Sequence, residues 1–244
     1  MQARRYALTL TLAASVMGIV GAGAQAPTVD EIVAKYLTAK GGAEKLRAVT
    51  SVKTTGRIKG RGGEMPVTSW AKRPNMMRRE NSNEGQTFVV AFDGKTVWGI
   101  NPMMSPGPRE ITGPQAEMTR QDADDFDTVL LDYKKKGYIV ELVDSDPVGG
   151  LAMHHLRVTK KSGRAQDIYL NSDTMLESKI TSEIEQMGRK ALIGIEFSNY
   201  KPIDGIMVPF NIRQTLNGQL VAEVVYDQVQ FNQPMDESLF RMPK

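Results

Sequence analysis

From Val52 to Phe231 the chain repeats one pattern: short stretches of alternating apolar and polar residues, rich in Thr, Val and Ile, broken by turn-forming pairs. A period of two sends successive side chains to opposite faces of a strand, so this pattern demands a sheet. The spacing predicts strands over 51–59, 64–71, 87–92 and 96–100, then over 138–143, 152–159, 165–170, 176–185, 191–200, 207–215 and 220–231. Turns fall at Asp93-Gly94, Gly149-Gly150, Lys161-Ser162-Gly163, Asp204-Gly205 and Asn217-Gly218, with Asp93-Gly94 read as a two-residue hairpin turn. Between Asn101 and Pro108 three prolines predict an irregular loop. Consecutive hairpins without a linker make an antiparallel meander long enough to curl on itself.

Two helices accompany the strands. Thr28 and Glu31 have capping-box spacing, Ile32, Val33, Tyr36 and Leu37 share one face, and Gly41-Gly42 supplies a left-handed stop. Phe126, Val129, Leu130 and Tyr133 stand at i, i+3, i+4 and i+7, which predicts a second helix. Asp122, Asp124, Asp125 and Asp127 then crowd its N-terminus and Lys134 to Lys136 its C-terminus, as the helix dipole favours. The class is α+β.

The first residues follow a different logic. Arg4 and Arg5 precede an uncharged run from Tyr6 to Val20 and the small-residue stretch Gly21-Ala22-Gly23-Ala24-Gln25-Ala26. That is the anatomy of a cleaved export signal, 1–24, with the cut placed at Ala24-Gln25 because Pro27 disfavours the alternative site after Ala26. The remaining 25–244 read as one domain. Removing two arginines lowers the formal net charge from +3 to +1, and no basic stripe with interleaved aromatics remains to suggest nucleic acid. With no cysteine, the chain has no disulfide, no thiol nucleophile and no site for an N-terminal lipid.

Catalytic signatures are missing. There is no Gly-x-Ser-x-Gly elbow, Walker loop or His-Glu-x-x-His. Gly60-Arg61-Gly62-Gly63 lies between strands and reads as a turn. The Asp122–Asp127 cluster lacks the glycine of a calcium loop at the sixth position and has Tyr133 where the loop needs a glutamate. His154 and His155 are neighbours on a strand and point apart, so one metal cannot easily take both. No catalytic residue, metal ligand or cofactor is assigned. A secreted hydrolase built on an unselected carboxylate pair stays open as a rival.

The apolar residues are more telling. Phe88, Val90 and Phe92 share one strand face, Val89 and Ala91 the other, and Trp98 and Ile100 lie together. Taken singly each of these residues fits a plain core; the alternative is a curved sheet whose concave face does not fill itself and leaves an apolar cavity. The fourteen methionines suit a surface that repacks around variable ligands.

Three segments resemble the LolA-like outer-membrane lipoprotein carriers in residues and order. Trp70-Ala71-Lys72-Arg73-Pro74-Asn75 is similar to the family's W-x-K-R-P-N strand end. Asp93-Gly94-Lys95-Thr96-Val97-Trp98-Gly99-Ile100-Asn101-Pro102 is similar to its D-G-K-T-L-W-x-x-N-P hairpin, and Asp236 to Pro243 to its D-x-x-x-F-x-x-x-P ending. The resemblance implies a half-open β-barrel with helices as a lid and a cavity for acyl chains. It implies Trp70, Met76, Phe88, Val90, Phe92, Trp98 and Ile100 as cavity residues, Phe126, Val129, Leu130 and Tyr133 as the lid, and Arg73 as its latch. Gly99 and Ile100 replace aromatic residues of the known carriers, which implies a differently shaped cavity. By the same analogy the protein works in the periplasm on lipoprotein or lipid acyl chains, between an inner-membrane transporter as donor and an outer-membrane acceptor. A lipid- or protein-sensing regulatory module on this fold is the other alternative.

Overall fold

The computed structural model describes residues 27–60, 62–143, 152–186 and 188–243. The predicted signal and the Gly149-Gly150 turn lie outside the described residues.

Among the described residues thirteen antiparallel strands form one sheet: β1 (Ser51–Gly60), β2 (Gly63–Lys72), β3 (Met76–Asn83), β4 (Gln86–Phe92), β5 (Val97–Asn101), β6 (Ser105–Glu110), β7 (Ile139–Val143), β8 (Met153–Thr159), β9 (Ala165–Asn171), β10 (Glu177–Gln186), β11 (Arg189–Ile203), β12 (Ile206–Leu216) and β13 (Gln219–Phe231). Strands adjacent in sequence pair, except β6 and β7, and β13 returns to pair with β1 in the middle. The edges are therefore β6 and β7, which do not meet, and the curved sheet stays unclosed. A bulge between Thr55 and Gly56 adds a residue on β13 and bends the central pair.

The register separates two faces. The outer face carries ion pairs of Arg57 with Glu64 and Asp227, and of Arg213 with Glu196. Opposite parity puts Ile58, Val224, Ile212, Phe197 and Ile195 on the inner face, half-buried. Hydrophobic alternation thus selects which side of the sheet the helices cover.

Helix α1 (Val29–Lys40) begins with the capping box of Thr28 and Glu31 and ends at Gly41 in the left-handed region. Its Ile32, Val33 and Tyr36 pack on Leu156, Val158, Ile168 and Leu170 of β8 and β9. Helix α2 (Ala43–Ala48) follows. Helix α3 (Pro114–Asp124) covers β4 and β5 through Ala116 and Ala123, which meet Phe92 and Val97. On the outer face the C-terminal tail covers the same strands: Trp98 Nε1 donates to the Phe240 carbonyl at 2.7 Å, and Arg78 to that of Leu239 at 3.0 Å.

The helix predicted around Phe126 to Tyr133 is not formed. Residues 126–137 make successive turns, with Asp132 at φ +54 and Gly137 at φ +68. Val129, Leu130 and Leu131 are all buried, which three consecutive helical residues on one apolar stripe cannot achieve. The helix lies one segment earlier. It starts with Pro114 in its first turn and buries only Ala116, Thr119 and Ala123, a stripe too small to stand out as an apolar face. The acidic cluster accordingly sits at and after a helix C-terminus rather than at an N-terminus. Two strands were also missed. β3 is polar (Arg78, Arg79, Glu80, Asn81), and β6 occupies the proline-rich loop, where an edge strand tolerates Pro108. Asp93-Gly94 opens a four-residue connection, 93–96, with Asp93 Oδ1 accepting from the amides of Lys95 and Thr96. Asp204-Gly205 and Asn217-Gly218 are two-residue turns with positive φ at both positions.

Candidate functional site

Helix α1 fills the inner face over β8 and β9, and α3 fills it over β4 and β5. Between them β1, β13 and β12 are roofed by α2, which buries no residue of its own, and by the 126–131 segment. The space is not filled. A cavity of about 280 Å³ remains, walled by Leu46, Val49, Val52, Phe126, Leu131, Ile206, Val208, Val229 and Phe231. Its lining is mostly apolar, with Lys40, Thr54, Asp127, Thr128 and Tyr226 as the polar members.

The roof is held by polar contacts. Arg73, at the end of β2, donates to both carboxylate oxygens of Asp127 at 2.6 and 2.8 Å. The same guanidinium donates to the Val49 carbonyl at 2.6 Å and to that of Leu46 at 3.4 Å, and lies 4.7 Å from the centre of the Phe126 ring. Planarity lets one arginine serve a carboxylate, two carbonyls and an aromatic face together. Three further carboxylates flanking the segment are bound to other elements: Asp124, the last residue of α3, by Asn75 at 3.0 Å, Asp125 by Lys160 of the β8–β9 hairpin, and Asp132 by Arg47 of α2 at 2.8 Å. The acidic run is a row of staples. Arg47, with help from Lys135, holds the Asp132 carboxyl down at about 2.

A second polar cluster stands on the β11 side of the cavity. The Glu177 carboxylate accepts from Tyr36 Oη and pairs with Lys40 Nζ at 3.2 Å; Tyr200 Oη donates to the Glu177 main-chain carbonyl at 2.8 Å and lies 3.2 Å from the carboxylate. The Tyr36 oxygen in turn accepts from Thr128 Oγ1 at 2.9 Å, tying α1 to the roof. Burial, then the adjacent Glu177 charge, pushes both phenols far above their ordinary range, so both remain donors.

The predicted cavity residues divide between the two faces. Phe88, Val90 and Phe92 are on the inner face, but towards α3: Phe88 and Val90 line a separate 200 Å³ pocket with Gln115, and Phe92 packs under Ala116 and Ala123. Trp98 and Ile100 pack with Val89 and Ala91 on the outer face. Trp70 is there too, beside Lys53 and the tail residues Met235 and Leu239, and Met76 pairs with Lys72 in outer-face register. None of these seven lines the main cavity. Of the predicted lid residues, Phe126 lines it, Val129 and Leu130 are buried against α1, and Tyr133 donates to Asp30. Arg73 stands at the roof. Lys40, Thr128, Glu177 and Tyr200 were missed; no local spacing joins them, since they come from α1, the roof, β10 and β11. Val52, Val208 and Val229 stood in the alternating pattern, but strand order was needed to bring them together.

The same architecture recurs in solved structures. A DUF1329 family protein from Desulfovibrio piger aligns with a TM-score of 0.58 at 15% identity, over 86% of this chain and 97% of that one. A LolA superfamily protein from Nitrosomonas europaea gives a TM-score of 0.56 at 14% identity, over 88% and 98%. The fold is LolA-like. A putative outer membrane lipoprotein-sorting protein domain from Vibrio parahaemolyticus shares this LolA-like fold with a TM-score of 0.53 at 15% identity, over 86% and 94%. No protein-family model and no curated protein matches the chain.

Proposed function

We propose that the protein is a periplasmic carrier that takes acyl chains of a lipoprotein or another lipid into the cavity beneath the 126–131 segment. The observation that carries this reading is the cavity itself: about 280 Å³ of mostly apolar-lined space under a roof held by side-chain hydrogen bonds and ion pairs. Water gains little in such a space, whereas each buried CH₂ of a lipid contributes about 0.8 kcal/mol. The half-buried inner-face residues Ile58, Val224 and Ile212 extend the apolar floor beyond the cavity. Arg73 is the latch: its bonds to Asp127 and to the carbonyls before β1 close the roof, and their exchange opens it. Chemistry of this kind needs no catalytic residue.

The lipoprotein-sorting and LolA designations of the similar structures favour this cargo class. The N-terminal pattern of 1–24 favours export, with 25–244 as the working domain. An inner-membrane donor and an outer-membrane acceptor complete the route by analogy.

The test is lipid occupancy. Protein purified from its producing cell should release lipid on solvent extraction and take up a fluorescent fatty-acid probe. Val208→Phe, which fills the cavity, should keep the fold and weaken probe binding at least tenfold. Absence of both lipid and probe uptake in the wild type overturns the proposal.

A further inference from the structure

We propose that the ligand of the main cavity is a single-chain amphiphile with an anionic headgroup, and that Lys40 receives that headgroup. The inference rests on the carrier reading and narrows it.

The volume sets the chain number. A 150 Å³ apolar cavity admits the six carbons of benzene, so the 280 Å³ here hold about eleven carbons, one alkyl chain and not several. A longer chain continues over the half-buried floor at Ile58 and Val224.

The polar lining sets the headgroup. Asp127 is taken up by both arms of Arg73 on the β2 side. On the opposite, β11 side Lys40 lines the cavity at the end of α1. Its partner Glu177 already accepts from the Tyr36 phenol, and the Tyr200 hydroxyl, bound to the Glu177 main-chain carbonyl at 2.8 Å, lies 3.2 Å from the same carboxylate, so Lys40 is not its sole donor. An ammonium has three N–H groups, and the contact with Glu177 uses one of them. A carboxylate or phosphate at the end of an alkyl chain finds there a cation with donors to spare, in a site of low dielectric where the bond is strong. The Thr128 hydroxyl, bound to Tyr36, belongs to the same lining.

Decanoate and 1-decanol share a chain and differ in charge. With the full chain, each is titrated against a bound neutral fluorescent probe. Wild type should bind decanoate at least tenfold more tightly than 1-decanol. Lys40→Met should abolish that preference by weakening decanoate at least tenfold, with its circular dichroism reporting an intact fold; Lys40→Arg, which keeps the charge, should retain the preference. Equal affinities in the wild type, or a preference that survives Lys40→Met, overturn the headgroup assignment and leave the carrier reading standing. Failure of both ligands to displace the probe from wild type removes the carrier reading and this inference with it. Decyl phosphate in place of decanoate distinguishes a phosphate from a carboxylate headgroup.

Discussion

Arg73 and Asp127 face each other across the cavity roof, joined by two bonds of 2.6 and 2.8 Å, with the guanidinium Nε on the Val49 carbonyl at 2.6 Å. A bidentate, half-buried pair of this kind joins the end of β2 to a turn segment that has no regular structure of its own to keep it in place. Replacing Arg73 by Leu strands the carboxylate and two carbonyls. The expected cost is about 1–3 kcal/mol in chemical unfolding, together with faster release of a bound fatty-acid probe. Asp127→Asn and the double variant complete a cycle; a coupling energy near zero would argue against a latch.

Asp132 and Arg47 give a pH signature. The folded carboxyl lies at about 2, below its ordinary value, with Arg47 as the leading cause. A depressed carboxyl stabilises the folded state above about pH 4, and that contribution disappears as pH falls towards 2. Asp132→Asn tolerates the positive φ of this position but abolishes the charge. Because Arg47 is half exposed, the loss at neutral pH should be no more than about 1 kcal/mol. Urea unfolding of the variant should show a flatter stability profile between pH 4 and 2 than the wild type.

Gly41 ends α1 at φ +119, and a Cβ there would stand 2.2 Å from the Gly205 carbonyl oxygen in the β11–β12 turn. Gly42 also has positive φ, at +101, but faces open space. Gly41→Ala should therefore destabilise by about 2 kcal/mol or more, and Gly42→Ala by about 1 kcal/mol. Equal effects in thermal melts would mean that α1 does not pack closely on that turn. Since Lys40 precedes Gly41, the first substitution should also weaken binding of an anionic amphiphile.

Phe240 is fully buried and its carbonyl receives the Trp98 indole N–H at 2.7 Å. Truncation to Ala should cost about 3–5 kcal/mol and shift the Trp98 emission to longer wavelength as water reaches the ring. The cavity is on the other face of the sheet, so probe affinity in the folded fraction should not change.

Much of the fold could be read from pattern. The strands that alternate cleanly, such as 51–59, 165–170 and 220–231, formed where expected, because a half-buried strand records its environment in its own period. The capping box of Thr28 and Glu31 and the stop at Gly41 did likewise, since their bonds span only a few residues. β3 and α3 left no such record: one carries charges on both faces, the other buries two alanines and a threonine. Phe126, Val129, Leu130 and Tyr133 show the opposite failure, a helical spacing without a helix, because α1 and the cavity bury Val129, Leu130 and Leu131 in succession.

An antiparallel sheet, its turns at Asp204-Gly205 and Asn217-Gly218, one capped helix and Arg73 before Pro74 were legible in the sequence, all properties written within a few residues of each other. For β4 and β5, apolar on both faces, tertiary structure decided which face is inner, and so separated Trp98 from Phe92 although both are apolar and close in sequence. It also decided where the sheet remains uncovered, and that Lys40 meets Glu177 there. The reason is geometric: pairing of β1 with β13 joins segments more than 150 residues apart, and no local period encodes a contact of that span.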